Sequence, residues 1–136
     1  MKKFLPDFPE PPWAGTQWLD LEASFLAFGD ERGQHPIGRE FRVFAGGGSN
    51  PCLHFYWPED AFEEFTNPSA ENWRELLREA SQIEDSLKEH LIETACKAAR
   101  AVDQEVVWSV DFALDRSGIW WVIDMAHARD SWHPRH

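Results

Sequence analysis

The stretch EVVWSVDFALDRSGIWWVIDMA, residues 105–126, decides the fold. It holds two apolar runs, about 105–114 and 119–126, joined by Asp115-Arg116-Ser117-Gly118, and a tight glycine-containing joint of this kind makes a β-hairpin. Val106, Trp108, Val110, Phe112 and Leu114 alternate with Val107, Ser109, Asp111, Ala113 and Asp115. The first set is wholly apolar and faces a core, whereas the second is small or acidic. An even-numbered loop sets Leu114 opposite Ile119, Ser109 opposite Asp124 and Asp111 opposite Val122, which makes Asp111 and Asp124 diagonal neighbours on the non-core face. An odd-numbered loop with a bulge at Gly118 reverses the parity and parts them. The even register also aligns Ile119, Trp121, Ile123 and Met125 with the apolar set, so it is the expected one, with Trp120 sharing the face of Asp124.

Aspartate is depleted in strands, and two carboxylates this close repel unless a cation or basic side chain neutralises them. Two readings stand for Asp111 and Asp124. One is a solvated sheet face that tolerates acids. The other is an oxygen-only site with open positions, which suits Mg²⁺ bridged to a substrate's phosphates.

Upstream, Ile83, Leu87, Leu91, Ala95 and Val102 recur at helical spacing, giving an amphipathic helix over about 83–102. Ser69 precedes a shorter helix carrying Glu71, Trp73, Leu76 and Leu77, after a break at Pro68. Before these, REFRVFA (39–45) reads as a strand with Phe41 and Val43 on one face and Glu40 and Arg42 on the other. CLHFYW (52–57) is its antiparallel return across the GGGSNP turn. GDERGQHPIG (29–38) reads as a polar loop, and the period-two pattern of Leu19, Leu21, Ala23 and Phe25 as a strand. Residues 1–14, with Pro6, Pro9, Pro11 and Pro12, form an extended arm ahead of a single domain over 15–136. Two helices between two hairpins indicate α+β architecture: an antiparallel sheet with two helices packed on one face.

The 136 residues fit one domain with a real core, and 43% hydrophobic content excludes a disordered chain. No run reaches the roughly 18 apolar residues of a membrane span, and Pro6 interrupts the short apolar stretch that a secretory signal needs. A formal net charge of -11 repels a phosphate backbone, so nucleic acid is not an expected partner. Cys52 and Cys96 are too few for a disulfide scaffold, which favours a reducing, cytoplasmic setting.

The ordered set REFRVF, a YW-ending strand, a long helix, and SVDFAL-DRSG-IWWVIDMA resembles the C-terminal half of the ATP-grasp superfamily, in particular small bacterial and phage-type domains. The match spans about residues 38–134. The resemblance implies an ATP-grasp C-terminal-subdomain-like fold. It implies that Arg42 contacts nucleotide phosphates with Glu40 beside it, and that Asp111 and Asp124 ligate Mg²⁺. Asp124 stands where the family carries glutamate, and His127 where it carries an acid. Ser131 and Pro134 match a terminal Ser and Pro, which makes His127 and Ser131 accessory positions. In the family, metal-bound ATP phosphorylates a carboxylate that an amine then captures, so an active protein is expected to be an ATP-dependent carboxylate–amine ligase. Complete members are about twice as long, and their N-terminal half clamps the nucleotide. The expectation is therefore a half-domain with a vestigial or conditional Mg-nucleotide site, open to three explanations: a repurposed half that keeps the fold as a binding or structural module, a cleft completed by dimerisation or a partner chain, or a compact enzyme whose arm and first strand do the work of the missing half. The alternative is a non-catalytic interaction module retaining only the fold.

Other motifs carry less. Asp124, His127, Asp130 and His133 repeat at a constant spacing of three, which suits no single-turn metal site, and the expected fate is a surface tail. GGGSN (46–50) lacks the Lys-Ser/Thr of a phosphate loop. Of the eight tryptophans, Trp18, Trp57, Trp120 and Trp132 are candidates for exposed stacking beside the carboxylates.

Overall fold

The structure, a computed structural model, describes residues 19–30, 33–62 and 67–134; the proline-rich arm and the residues up to Trp18 lie outside them. The architecture is α+β. Strands β1 (Phe25–Asp30) and β2 (Gly33–Ile37) form a two-stranded antiparallel sheet. Strands β3 (Glu40–Gly46), β4 (Cys52–Phe55), β5 (Val107–Leu114) and β6 (Trp120–His127) form a four-stranded antiparallel sheet in the order β4-β3-β5-β6. Helices α1 (Trp73–Ala80) and α2 (Asp85–Val102) connect β4 to β5.

The alternation read from the sequence builds the main core. Phe41, Val43 and Ala45 of β3 and Val110 and Phe112 of β5 point to one side, where they meet Leu91, Ala95 and Ala99 of α2. The two alanines let the helix lie close to the sheet, and burying Leu91 adds about 1.5–3 kcal/mol. Asp85 in the first turn and Arg100 in the last complement the helix dipole. Helix α1 belongs to a second cluster, in which its Trp73 and Leu77 pack with Phe25, Ala27, Ile37 and Phe62.

Three local expectations need correction. The segment read as a loop, 29–38, contains β2, which pairs Ile37 with Phe25 and His35 with Ala27. Its Pro36 is tolerated because each strand of a two-stranded sheet is an edge. The strand expected from Leu19 begins only at Phe25; ahead of it, Leu21 makes one isolated bridge to Asp115. Ser69 does not cap α1. Its backbone N–H and hydroxyl bind the carbonyl and N–H of Leu26, tying this segment to β1, and the helix starts four residues later.

Among the described residues, no helix is long and apolar enough to cross a membrane.

Candidate functional site

The sheet face turned away from α2 collects the polar residues. One row crosses all four strands: His54 pairs with Arg42, Arg42 with Asp111, and Asp111 with Asp124. The next row runs from Cys52 through Phe44 and Ser109 to Ala126.

Asp111 and Asp124 are thus directly opposed, where the sequence led us to expect diagonal neighbours, and two departures from the expected register bring this about. The β5–β6 connection is odd-numbered, since Leu114 pairs with Trp120 instead of Ile119. Gly118, at φ 86, occupies the left-handed position of a three-residue turn closed by the bond from Asp115 N–H to Ile119 carbonyl. That parity alone separates the acids. A shift between Asp111 and Phe112 then leaves Ile123 as the extra residue on β6, which returns Asp124 to the face of Asp111 and sets it directly opposite. The tryptophans exchange roles accordingly. Trp120 packs on the core beside Phe41, whereas Trp121, expected in the core, donates its indole N–H to Asp115. Ile119, also expected in the core, is exposed.

Arg42 grips Asp111 at two points, Nε to Oδ1 at 2.7 Å and Nη2 to Oδ2 at 2.8 Å, with both side chains largely buried. The guanidinium also stacks 4.9 Å from the Tyr56 ring centre and donates through Nη1 to the Trp132 carbonyl. Its pKa is raised, chiefly by the hydrogen bond to Asp111, with the Asp124 charge adding to it. Asp124 itself is exposed. Glu40, one pleat along β3, has its pKa raised to about 7, first by burial and then by the charge of Asp111. The Trp57 indole N–H opposes that shift, although its geometry falls short of a full hydrogen bond. Arg42, Tyr56, Trp57, Pro58 and Trp132 line a pocket of about 380 Å³ beside this row.

The C-terminal segment crosses the same face. Ser131 Oγ lies 2.6 Å from Ser109 Oγ and donates to the His127 carbonyl, which directs Trp132 toward Arg42 and His133 toward β4. His133 Nε2 there lies 3.1 Å from His54 Nε2 and 3.6 Å from Cys52 Sγ. This segment is no loose surface tail. His127 takes no part in the cluster: its ring packs 4.7 Å from the Trp108 ring, which joins the core on the α2 side. The spacing of three therefore does not gather its two histidines.

Of the residues singled out in the sequence, Arg42, Asp111 and Asp124 come together, Glu40 borders them, Ser131 anchors the segment that crosses them, and His127 stands apart. Cys52 and His54 were missed. The available signal was their i, i+2 spacing on one strand, which puts a thiol and an imidazole on one face. The long return of His133 carried no local signature.

Comparisons with protein-family models, curated proteins and solved structures find no match for this chain.

Chemically, this face offers a guanidinium, two opposed carboxylates, an acid poised to exchange a proton near neutrality, and an aromatic pocket. At its β4 edge it offers a nitrogen and sulfur donor set.

Proposed function

We propose that the Arg42 row binds a magnesium nucleotide in the manner of an ATP-grasp domain. Arg42 takes the phosphates, Asp111 and Asp124 take the ion, and the pocket at Tyr56, Trp57 and Trp132 takes the base or sugar. The reading is supported most by the direct opposition of Asp111 and Asp124 beside the Arg42 guanidinium. The donor set fits the ion, because two carboxylates with open positions suit Mg²⁺, which retains water and shares phosphate oxygens. The guanidinium neutralises Asp111. Phosphate oxygens compete for the same fork and free the carboxylate for the cation. Glu40, its pKa raised to about 7, presents a hydrogen-bond donor to phosphate instead of a repelling charge on the acid side of that value.

On this reading the described residues supply one wall of the nucleotide cleft, and a second copy or a partner chain supplies the other. Mg-ATP held there would transfer its γ-phosphoryl group to a carboxylate with release of ADP, an amine would then displace phosphate from the acyl phosphate, and this ligase chemistry would require the completed cleft. Free Cys52 and Cys96 accord with a reducing cytoplasm.

A second reading, a non-catalytic homodimeric module, is favoured by one observation. Edge strand β6 and its turn expose Ile119, Val122 and Ile123.

Thermal unfolding of the full chain with millimolar Mg-ATP tests the first reading. Its Tm rises, and the rise disappears when Asp111→Asn and Asp124→Asn are combined. An unchanged Tm counts against nucleotide binding, and a monodisperse monomer by light scattering counts against the dimeric module.

A further inference from the structure

We propose that Cys52, His54 and His133 form a Zn²⁺ site that staples the C-terminal segment across the sheet. Their donor atoms lie within 4.8 Å of one another. Zn–N bonds of about 2.0 Å and Zn–S bonds of 2.3 Å at tetrahedral angles set N···N at about 3.3 Å and S···N at about 3.5 Å. The protein has 3.1 Å between the two Nε2 atoms and 3.6 Å from Sγ to His133 Nε2, close to those values.

The cluster is also built to hold that shape. Cys52 and His54 share a face of β4, and β3 alongside fixes them through the pairings Phe44 with Cys52 and Arg42 with His54. The Phe44 ring packs 4.8 Å from that of His133 and 6.1 Å from that of His54. His133 arrives by a separate route, set by the Ser131–Ser109 contact and the Arg42 bond to the Trp132 carbonyl. Three donors from two distant parts of the chain therefore meet with few rotamers left to order, which keeps the entropic cost of binding low.

One thiolate and two imidazoles select zinc over Mg²⁺ or Ca²⁺, which take oxygen ligands. Three protein donors leave the fourth tetrahedral position to water. Binding forms a Zn–S bond as the Cys52 thiol releases its proton to solvent. Each imidazole binds neutral through Nε2 with its proton on Nδ1, in place of the direct His54–His133 contact. Because Trp132 lies between Ser131 and His133, the ion also holds the pocket wall beside Arg42. Zinc binding needs no nucleotide, so it stands or falls separately from the function proposed above.

The test uses the full chain, reduced and stripped with chelator, titrated with Zn²⁺ alone by calorimetry and with Co²⁺ alone by absorbance. The expected result is one ion per chain with a thiolate-to-cobalt charge-transfer band. Loss of a ligand should weaken binding at least as much as loss of a ligand's supporting partner does, about 10–100-fold. Cys52→Ser and His133→Ala are each expected to show this while keeping a native circular dichroism spectrum, and Cys52→Ser also to lose the band. His127→Ala, on the other side of the sheet, should bind as the wild type does. Failure of the wild-type chain to take up zinc overturns the proposal, whatever the variants do. So does uptake undiminished by Cys52→Ser and His133→Ala, which assigns the ion to other surface histidines.

Discussion

Arg42 and Asp111 sit opposite each other on β3 and β5 and close a two-point ion pair at 2.7 and 2.8 Å, shielded from solvent. Taking either charge out of water alone is costly, so each side chain makes the burial of the other tolerable. The pair thus stabilises the sheet and at the same time holds a carboxylate and a guanidinium at the centre of the candidate nucleotide face.

Removing one partner should therefore cost far more than removing both. Arg42→Met strands the Asp111 carboxylate and is expected to lower unfolding free energy by about 3 kcal/mol. Adding Asp111→Leu should recover most of that loss, as read by urea denaturation at pH 7. Equal stability of the Arg42→Met and double variants would show that the stranded Asp111 carboxylate carries no penalty.

Glu40 sets a pH dependence of unusual sign for a carboxylate. Its pKa rises from 4.5 to about 7 on folding, so between those values the native state binds more protons than the unfolded chain. Its contribution is fully present below about pH 4.5 and declines as pH rises through about 7, by an amount on the order of 3 kcal/mol. Glu40→Gln should flatten this decline in a Tm series from pH 5 to 8. Parallel wild-type and variant curves would contradict the assignment.

Asp115 behaves in the opposite way. The Trp121 indole N–H, then the backbone N–H groups of Ile119 and Ser117, hold its carboxylate below the ordinary range. The stability this confers is fully present at neutral pH, begins to fall at the usual carboxylate values and is lost as pH drops through the depressed folded value below them. Asp115→Asn should melt below the wild type at pH 7, with the gap narrowing as the solution is acidified past the usual carboxylate range. A gap that stays constant on acidification would mean that the charge plays no part.

These residues also mark how far the sequence could be read. Strands β3 and β5 were legible because Phe41, Val43, Val110 and Phe112 alternate cleanly with polar positions. Helix α2 was legible because Leu91 and Ala95 sit a turn apart on one stripe. The register of β6 was not, because side-chain parity is blind to two one-residue shifts in the same direction. The loop at Gly118 and the extra residue Ile123 each move β6 by one residue in the same direction, so together they restore the parity while sliding the strand by two, which is how Asp111 and Asp124 end up facing each other in a register the sequence did not suggest. Strand β2 was hidden by its glycine, histidine and proline. The donor set of Cys52, His54 and His133 depends on a contact spanning 81 residues, and no local pattern encodes it.

The junction between the two sheets depends on Gly38. A Cβ there would overlap the Glu22 backbone carbonyl, and the Glu22 N–H is bonded to the carbonyl of Leu114. Backbone cannot yield as a flexible side chain can, so Gly38→Ala should cost about 1–3 kcal/mol by denaturant titration. Wild-type stability in this variant would mean that residues 19–24 do not pack there in solution.

The most direct test of the nucleotide face is calorimetric titration of Mg-ATP into the full chain and its Asp124→Asn variant. Asp124 is exposed, so the change leaves the fold intact while removing one of the two opposed carboxylates. Saturable binding that requires both Mg²⁺ and nucleotide is expected, weakened at least about ten-fold in the variant, the equivalent of 1.4 kcal/mol. Absence of binding at millimolar Mg-ATP, or equal affinity in both proteins, would contradict it.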